Sequence, residues 1–325
     1  MTMKARTTRP LPGETVPAST ATARGRTRST PVRVAVVGAT GFVGSATVTA
    51  LASAGIQCTA VARTPPHTDI PGVVSARADL TDPASLETAL TGADVVIHAA
   101  SYTGNDPAHC VAVNVAGTEN LLAAAARNGI SRVIYVSTIG VYGSGPHSGI
   151  GEYEATPAPV SALSASRLAA EHRVLERGGC VVRPGFVHGP GDRWFVPGFI
   201  RIVETLGAWV DEGRSRISII AVHDLARLLA ALAAQPPARP GDVFHACHPD
   251  PVTVRELGEA LVNASRLRLP ATSLTFDEAT TAGARRGLTD RHLDLIGRDH
   301  WYDPTRLWTA TGSIVGHGPL EHFPA

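Results

Sequence analysis

Gly38, Gly41 and Gly44 recur at intervals of three residues, between a short apolar run and an alanine-rich stretch. In a strand–turn–helix unit, the first glycine permits a tight turn, the second lets the backbone approach a pyrophosphate, and the third allows close helix–strand packing. The free N–H groups at the start of the helix attract the anion. The spacing therefore predicts a dinucleotide-binding loop formed by Gly38, Thr40, Gly41, Phe42, Val43 and Gly44.

Arg63 follows the apolar segment Ala60-Val61-Ala62, at the end of the next predicted strand. Sites selective for NAD usually carry a carboxylate here, which binds the ribose hydroxyls, whereas an arginine suits a 2′-phosphate. We therefore predict NADPH or NADP as the cofactor in preference to NAD. The alternative interpretation of Arg63 is a solvated surface arginine.

Strand-like and helix-like segments alternate along the chain after residue 31. Apolar runs indicate buried strands, and alanine-rich stretches between them indicate helices. This alternation predicts an α/β protein with a Rossmann-type, doubly wound parallel sheet. The predicted strands are 32–37, 57–62, 73–77, 94–99, 132–137 and 180–183, and the predicted helices are 42–54, 83–90, 107–127, 160–177, 224–234 and 253–264.

The regular alternation ends near Gly191, and the following segments contain more tryptophan and proline. We predict a nucleotide-binding domain over 32–190, to which later segments return, and a smaller lobe over 191–325 that mainly binds substrate. Residues 1–31 are rich in Thr, Arg, Pro and Ser without an apolar period, which predicts a disordered tail.

The composition narrows the classes of partner. The 29 basic and 28 acidic residues leave a net charge of +1, which argues against nucleic-acid binding. No apolar run approaches the roughly 20 residues that span a bilayer. The four cysteines form no CxxC pair, so neither a metal site nor a disulfide framework is expected. We expect a cytoplasmic protein, monomeric or homodimeric, that binds a small molecule and no membrane.

Further motifs follow the glycine loop in a fixed order. They are Asp79-Leu80, His98-Ala99-Ala100, Asn114-Val115-Ala116-Gly117-Thr118, the segment 136–143 that contains Thr138 and Val141-Tyr142-Gly143, the segment 183–191 that begins Arg183-Pro184, and Val222-His223-Asp224. From Val34 to about Leu261 the chain thus resembles the extended short-chain dehydrogenase/reductases. The resemblance implies that cofactor contacts come from Asp79, Leu80, Ala99, Ala100, Pro184 and Val187, and that Thr138 is the catalytic hydroxyl.

The resemblance fails at one catalytic position. Members of this family carry Tyr-x-x-x-Lys on a long helix, where this chain has Leu163-Ser164-Ala165-Ser166-Arg167, with Glu171 in step. The family tyrosine donates a proton to the carbonyl oxygen, which leucine cannot do. Arg167 can bind the nicotinamide ribose, but its permanent charge makes it a poor proton donor. We predict roles in the site for Thr138 and Arg167, the alternatives being a strand-end cap and a helix-surface arginine.

The substrate contacts are predicted near the ends of the fourth and later strands. The candidates are Ser101, Tyr102, His188, Trp194 and Phe195. The alternative is a structural role for His188 and a packing role for the three other aromatic residues. Lys4 is the only lysine in an arginine- and alanine-rich chain, a composition typical of a high-GC genome such as that of an actinomycete.

A substrate that polarises its own carbonyl would need no enzymatic acid. Our leading hypothesis is therefore a ketoreductase for an aromatic polyketide such as an angucycline. The alternatives are a non-redox epimerase, dehydratase or cyclase with bound cofactor, and a non-catalytic NADP-sensing protein.

Overall fold

The computed structural model describes residues 32–65, 67–235, 239–265 and 268–321. The tail predicted for 1–31 lies outside the described residues. Among the described helices, none has both the length and the apolar character needed to cross a bilayer.

The described segments form the following strands and helices, numbered along the chain. The strands are β1 (Arg33–Val37), β2 (Gln57–Ala62), β3 (Val73–Arg77), β4 (Val95–His98), β5 (Arg132–Val136), β6 (His147–Ile150), β7 (Cys180–Pro184), β8 (Phe186–His188), β9 (Trp209–Val210), β10 (Arg216–Ile217), β11 (Ile219–Ala221), β12 (Val243–Ala246), β13 (Val252–Thr253), β14 (Ser273–Leu274) and β15 (His300–Tyr302). The helices are α1 (Phe42–Ser53), α2 (Pro83–Ala89), α3 (Pro107–His109), α4 (Gly117–Arg127), α5 (Ala162–Glu176), α6 (Phe195–Leu206), α7 (Val222–Ala234), α8 (Val254–Ser265), α9 (Phe276–Ala284), α10 (Asp290–Gly297) and α11 (Thr305–Thr311).

A seven-stranded parallel sheet forms the centre of the molecule, in the order β12-β7-β5-β4-β1-β2-β3. Its inner strands are largely apolar runs because helices cover both faces, whereas the edge strand β3 is mostly exposed. Helices α1, α7 and α11 pack on one face, and α2, α4 and α5 pack on the other. The predicted Rossmann-type α/β fold is confirmed. The strand order reverses at β1, and ligands of such sheets bind in the crevice at this switch point.

A second core lies in the C-terminal part of the chain. Leu206, Trp209, Leu257 and Leu293 are completely or almost completely buried there, in a cluster contributed mainly by α6, α8, α9 and α10. A small sheet in the order β13-β10-β15-β6 includes strands from both sides of residue 190. Strand β12 likewise lies beyond residue 190 and forms an edge of the central sheet. The boundary at residue 190 stays a prediction.

The long helix predicted over 107–127 differs from the helix that is observed. A π-helical segment, Cys110–Ala116, separates α3 from α4. Its Asn114 side chain is buried and bonds to the backbone of Tyr102 through both amide atoms, with Tyr102 N 2.7 Å from Oδ1 and Tyr102 O 3.1 Å from Nδ2. A π-helical segment is short and rare, and its composition does not distinguish it from α-helix, so the sequence predicted one continuous helix.

Candidate active site

The glycine loop joins the end of β1 to α1 in a conformation that requires glycine. Gly38 has φ +93°, and a Cβ atom there would lie 2.6 Å from the backbone nitrogen of Ala100. A Cβ atom at Gly44 would lie 2.1 Å from the carbonyl oxygen of Gly38. Gly41 precedes the first turn of α1, and its N–H donates to Gly38 O at 2.9 Å. Gly38, Thr40 and Gly41 line a cleft at the N-terminus of α1.

A cleft of about 450 Å³ opens beside this loop, at the carboxyl ends of β1, β2 and β4. Ten of the predicted site residues line it: Gly38, Thr40, Gly41, Arg63, Asp79, Leu80, Ala99, Ala100, Ser101 and Tyr102. Phe42, Val43 and Gly44 form the first turn of α1 and do not line the cleft. An extended dinucleotide fits such a cleft, because the glycine backbone can bind its pyrophosphate and the polar side chains of Arg63, Asp79 and Ser101 lie along the rest of the cleft.

Arg63 and Asp79 carry the charges of this cleft. Asp79 accepts hydrogen bonds from Thr81 N at 2.9 Å and Thr81 Oγ1 at 2.8 Å. These bonds, and to a smaller degree the nearby charge of Arg63, lower the pKa of the Asp79 carboxyl. Arg63 itself is exposed at the end of β2. The guanidinium is therefore accessible to an anionic group of a ligand in the cleft.

A second cavity, of about 290 Å³, contains the positions where catalysis is predicted. Thr138, Leu163, Arg167 and Trp194 all line it, although they come from four separate segments of the chain. Thr103 lines both this cavity and the cofactor cleft, so the two adjoin. We call the second cavity the Leu163 cavity.

Thr138 and Arg167 have defined hydrogen bonds at the border of this cavity. Thr138 Oγ1 accepts from Gly140 N at 3.0 Å, which leaves the hydroxyl hydrogen for another acceptor. Arg167 is half-buried; its Nε donates to Ser101 Oγ at 3.2 Å and one terminal nitrogen donates to Ser137 O at 3.3 Å. Arg167 thus lies between the cofactor cleft and the Leu163 cavity, not on the outer surface of α5.

A buried ion pair fixes α5 against the sheet. Arg183 on β7 contacts Glu171 on α5, with a terminal nitrogen 2.5 Å from Glu171 Oε2, and both side chains are almost fully buried. Ser137 Oγ also donates to Glu171, and Arg183 donates to the hydroxyl of Tyr142 at 2.7 Å. Because Ser137 precedes Thr138 and Glu171 shares a helix with Leu163, this network links two of the elements that line the Leu163 cavity.

None of the five tyrosines, all of which are described, lines the Leu163 cavity. Tyr135 lies in the core of the central sheet, where burial raises its pKa to about 12. Tyr142 is buried, and Tyr153 is exposed and lies beside β12. Tyr102 lines the cofactor cleft, and Tyr302 lines a neighbouring cavity. Each of the five phenols therefore lies outside the cavity that holds Leu163.

The remaining predicted residues are more scattered. Trp194 is 69% exposed at the Leu163 cavity, whereas Phe195 stacks on Phe186 with ring centroids 4.9 Å apart and does not line it. His188 is completely buried on β8. Pro184 ends β7 and Val187 lies on β8, and neither lines the two cavities described above. Of the five predicted substrate residues, Trp194 thus lines the Leu163 cavity and Ser101 and Tyr102 line the cofactor cleft, whereas His188 and Phe195 line neither.

Sequence reasoning missed several lining residues, namely Thr103, Gly140, Ser161, Ser164 and Arg291. Ser161 and Ser164 form a capping box at the start of α5, a local pattern that the sequence does contain. Arg291 lies on α10, in the part of the chain with no recognisable motif.

Comparisons with known proteins agree with this geometry. Residues 34–247 match the model of the NAD dependent epimerase/dehydratase family. The chain is 30% identical over 314 residues to the 2-alkyl-3-oxoalkanoate reductase of Stenotrophomonas maltophilia (strain K279a), which covers 85% of this chain and 93% of the relative. It is 29% identical over 264 residues to a 4-hydroxy-2-methyl-3-oxo-4-farnesyl-3,4-dihydroquinoline-1-oxide ketoreductase of Stigmatella aurantiaca, covering 77% and 78%.

Two solved structures are similar over 90% of this chain and 96% of theirs, at 25% identity. One is MoeE5 in complex with UDP-glucuronic acid and NAD, with a TM-score of 0.69. The other is RMD from Pseudomonas aeruginosa complexed with NADPH, with a TM-score of 0.65.

The fold and the cleft define a nicotinamide-dinucleotide enzyme of the extended short-chain dehydrogenase/reductase type. The chain belongs to the NAD-dependent epimerase/dehydratase family, and it is an NAD(P)-dependent oxidoreductase.

Proposed function

We propose that this protein is an NADPH-dependent ketoreductase that reduces a carbonyl of an aromatic polyketide, of the angucycline kind, without a catalytic tyrosine. One observation carries the proposal: the hydrocarbon side chain of Leu163 shares a cavity with Thr138 and Arg167. The two relatives named as reductases support reduction of a ketone.

The residues of the cofactor cleft suit NADPH. The backbone between Gly38 and Gly44 binds the pyrophosphate, and Arg63 binds the 2′-phosphate, because no carboxylate stands at the end of β2. Arg167 and Ser101, which are hydrogen-bonded to each other, hold the nicotinamide ribose. When bound, the nicotinamide supplies a hydride to the carbonyl carbon.

The protein's own residues orient the carbonyl but do not protonate it. Thr138 donates a hydrogen bond to the carbonyl oxygen, and Arg167 holds the ribose beside it. Neither is an effective acid at neutral pH, and Leu163 only excludes water. Absence of a general acid typically costs about a hundred- to ten-thousandfold in rate, while the benefit of proximity remains.

The substrate therefore supplies the polarisation. An aryl ketone or quinone with a phenol beside the carbonyl does so through an internal hydrogen bond. The phenol proton passes to the carbonyl oxygen as the hydride arrives at the carbon, and solvent returns a proton to the phenolate afterwards.

A matched pair of ketones tests this function. Oxidation of NADPH is measured with a hydroxyaryl ketone and with its methyl ether, which keeps the shape but lacks the proton. We expect turnover of the phenol and a rate at least tenfold lower for the ether. Gly41→Asp should abolish turnover, and Thr138→Ala should retain part of it. Equal rates for the two ketones, or no turnover of any aryl ketone, would overturn the proposal.

A change at position 163 provides the reciprocal test. Leu163→Tyr places a phenol beside Thr138, so it should raise the rate for the methyl ether more than the rate for the free phenol. Leu163→Phe is the control, since it adds the ring without the hydroxyl. If Leu163→Phe has the same effect as Leu163→Tyr, cavity shape and not acid chemistry explains the change.

A further inference from the structure

Arg291 lines two adjoining cavities next to the predicted reaction centre. It lies on α10, on the wall of the Leu163 cavity, and also on the wall of a neighbouring cavity of about 230 Å³. Thr138 and Gly140 line both cavities as well, so the two cavities adjoin beside Thr138. Arg291 does not line the cofactor cleft.

The charge of Arg291 is not balanced by the protein. Within the described ranges, it forms no ion pair and no hydrogen bond with another residue. The Leu163 cavity contains a second guanidinium, that of Arg167, and no carboxylate among its lining residues. Two guanidinium groups with no carboxylate lining the same cavity make this wall attractive to an anion.

The neighbouring cavity does contain a carboxylate, Asp294, but that group is already paired. It accepts from His300 Nε2 at 3.1 Å and from Gly145 N at 3.2 Å, and Arg298 lies 3.5 Å away. These bonds lower the pKa of the Asp294 carboxyl, although burial acts in the opposite direction. Asp294 is thus occupied by its own partners and leaves Arg291 for a ligand.

We infer that Arg291 binds an anionic oxygen of the substrate, a carboxylate or an ionised phenol, at a distance from the carbonyl at Thr138. A guanidinium favours such groups because its planar set of donors matches an oxyanion and its charge is permanent. The inference rests on the proposed function and adds that the ketone is an acid. Arg291 is a specificity-determining residue with no part in hydride or proton transfer.

Two pairs of ketones separate the possible anions, and every member keeps the phenol beside the carbonyl. The first pair is an aryl ketone with a carboxylate on a remote ring and its methyl ester. The second pair has an acidic phenol on the remote ring and the corresponding methyl ether. Turnover with NADPH is measured for the wild-type protein, for Arg291→Gln, and for the control Arg285→Gln, an exposed arginine at the end of α9 that lines neither cavity.

We expect Arg291→Gln to lower kcat/KM for the anionic member of one pair by about tenfold, mainly through a higher KM, since Arg291 is exposed and its pairing is partly screened. The neutral member should be turned over equally by both proteins, and added salt should reduce the difference. Arg285→Gln should match the wild type. The pair that responds identifies the anion as a carboxylate or a phenolate.

Equal losses for charged and neutral ketones, or no loss for either pair, would overturn the inference while leaving the ketoreductase function intact. A lack of turnover for all four ketones by the wild-type protein would instead refute the proposed function.

Discussion

The substitution Arg63→Gln tests the predicted choice of NADPH. Arg63 is exposed at the end of β2 and lines the cofactor cleft, where no ion pair occupies its guanidinium in the part of the chain described. If it binds the 2′-phosphate, the change to glutamine removes a charge-assisted interaction that NADPH makes and NADH does not. The substitution should therefore weaken the binding of NADPH and leave the binding of NADH unchanged.

The exposure of Arg63 sets the size of the effect. Hydrogen bonds to charged groups contribute about 1.5–3 kcal/mol when shielded, and solvent around an exposed side chain reduces this. We take about 1–2 kcal/mol, which corresponds to a five- to thirtyfold change in affinity. The ratio of kcat/KM for NADPH to that for NADH should fall by about this factor, because the value for NADH stays constant.

Steady-state kinetics with both coenzymes and one hydroxyaryl ketone measure the ratio. Arg77→Gln is the matched control, since Arg77 is an exposed arginine at the end of the neighbouring strand β3 and does not line the cleft. An unchanged ratio in Arg63→Gln, or an equal fall in Arg77→Gln, would refute the assignment of Arg63 to the 2′-phosphate and leave NAD as an equal candidate.

Three further predictions concern the loop, the buried ion pair and pH. Gly44→Ala should abolish coenzyme binding, because the added Cβ would overlap Gly38 O. Binding is measured by nicotinamide fluorescence. Gly198→Ala is the control, since a Cβ atom there has free space. Glu171→Ala should lower the free energy of unfolding in urea by about 3–5 kcal/mol, since it leaves Arg183 buried without its partner; Glu176→Ala, in an exposed pair, should cost less than about 1 kcal/mol. Burial lowers the pKa of His98 to about 3 and that of His245 to about 4. The unfolded chain therefore binds more protons below pH ~6.5, and from there to pH ~5 each histidine should remove about 2 kcal/mol of stability.

Each of these three predictions can be contradicted by one measurement. Coenzyme affinity in Gly44→Ala equal to that of the wild type would contradict the close packing of the loop. Similar losses in Glu171→Ala and Glu176→Ala would show that the buried pair has no special importance. A free energy of unfolding that is constant between pH 7 and 5 would mean that His98 and His245 take up protons as readily in the folded state as in the unfolded one.

Most of the central sheet was predictable because its inner parallel strands are short buried apolar runs, although the edge strand β3 is mostly exposed. The predicted strands 57–62 and 73–77 agree with β2 and β3 at both ends, and 94–99 extends one residue beyond β4 at each end. The two- and three-residue strands of the C-terminal part, such as β10 and β15, are too short to produce a pattern. Tertiary pairing alone determines them.

The site residues were likewise predictable only where the sequence pattern is local. The residues of the cofactor cleft were predictable because a phosphate loop is local in sequence and the other contacts follow strand ends, where parallel strands meet at one edge. Arg291 could not be predicted, since a single arginine in an arginine-rich chain has no signature and comes to the same cavity as Thr138 only through the folding of α10. His188 and Phe195 do not line the Leu163 cavity because of tertiary packing, which no local sequence pattern encodes.

The buried amide of Asn114 has a consequence for any attempt to alter substrate choice. Besides Tyr102, it bonds Ser101 Oγ at 3.2 Å and Ser166 Oγ at 2.9 Å, and Ser101 accepts from Arg167. The loop after β4 and the helix bearing Leu163 are thereby tied to one side chain on a third element. Two of these bonds go to the backbone of Tyr102, so a loop exchanged from a relative needs the same backbone path at residue 102 and a serine at 101 for Asn114 to hold it beside α5.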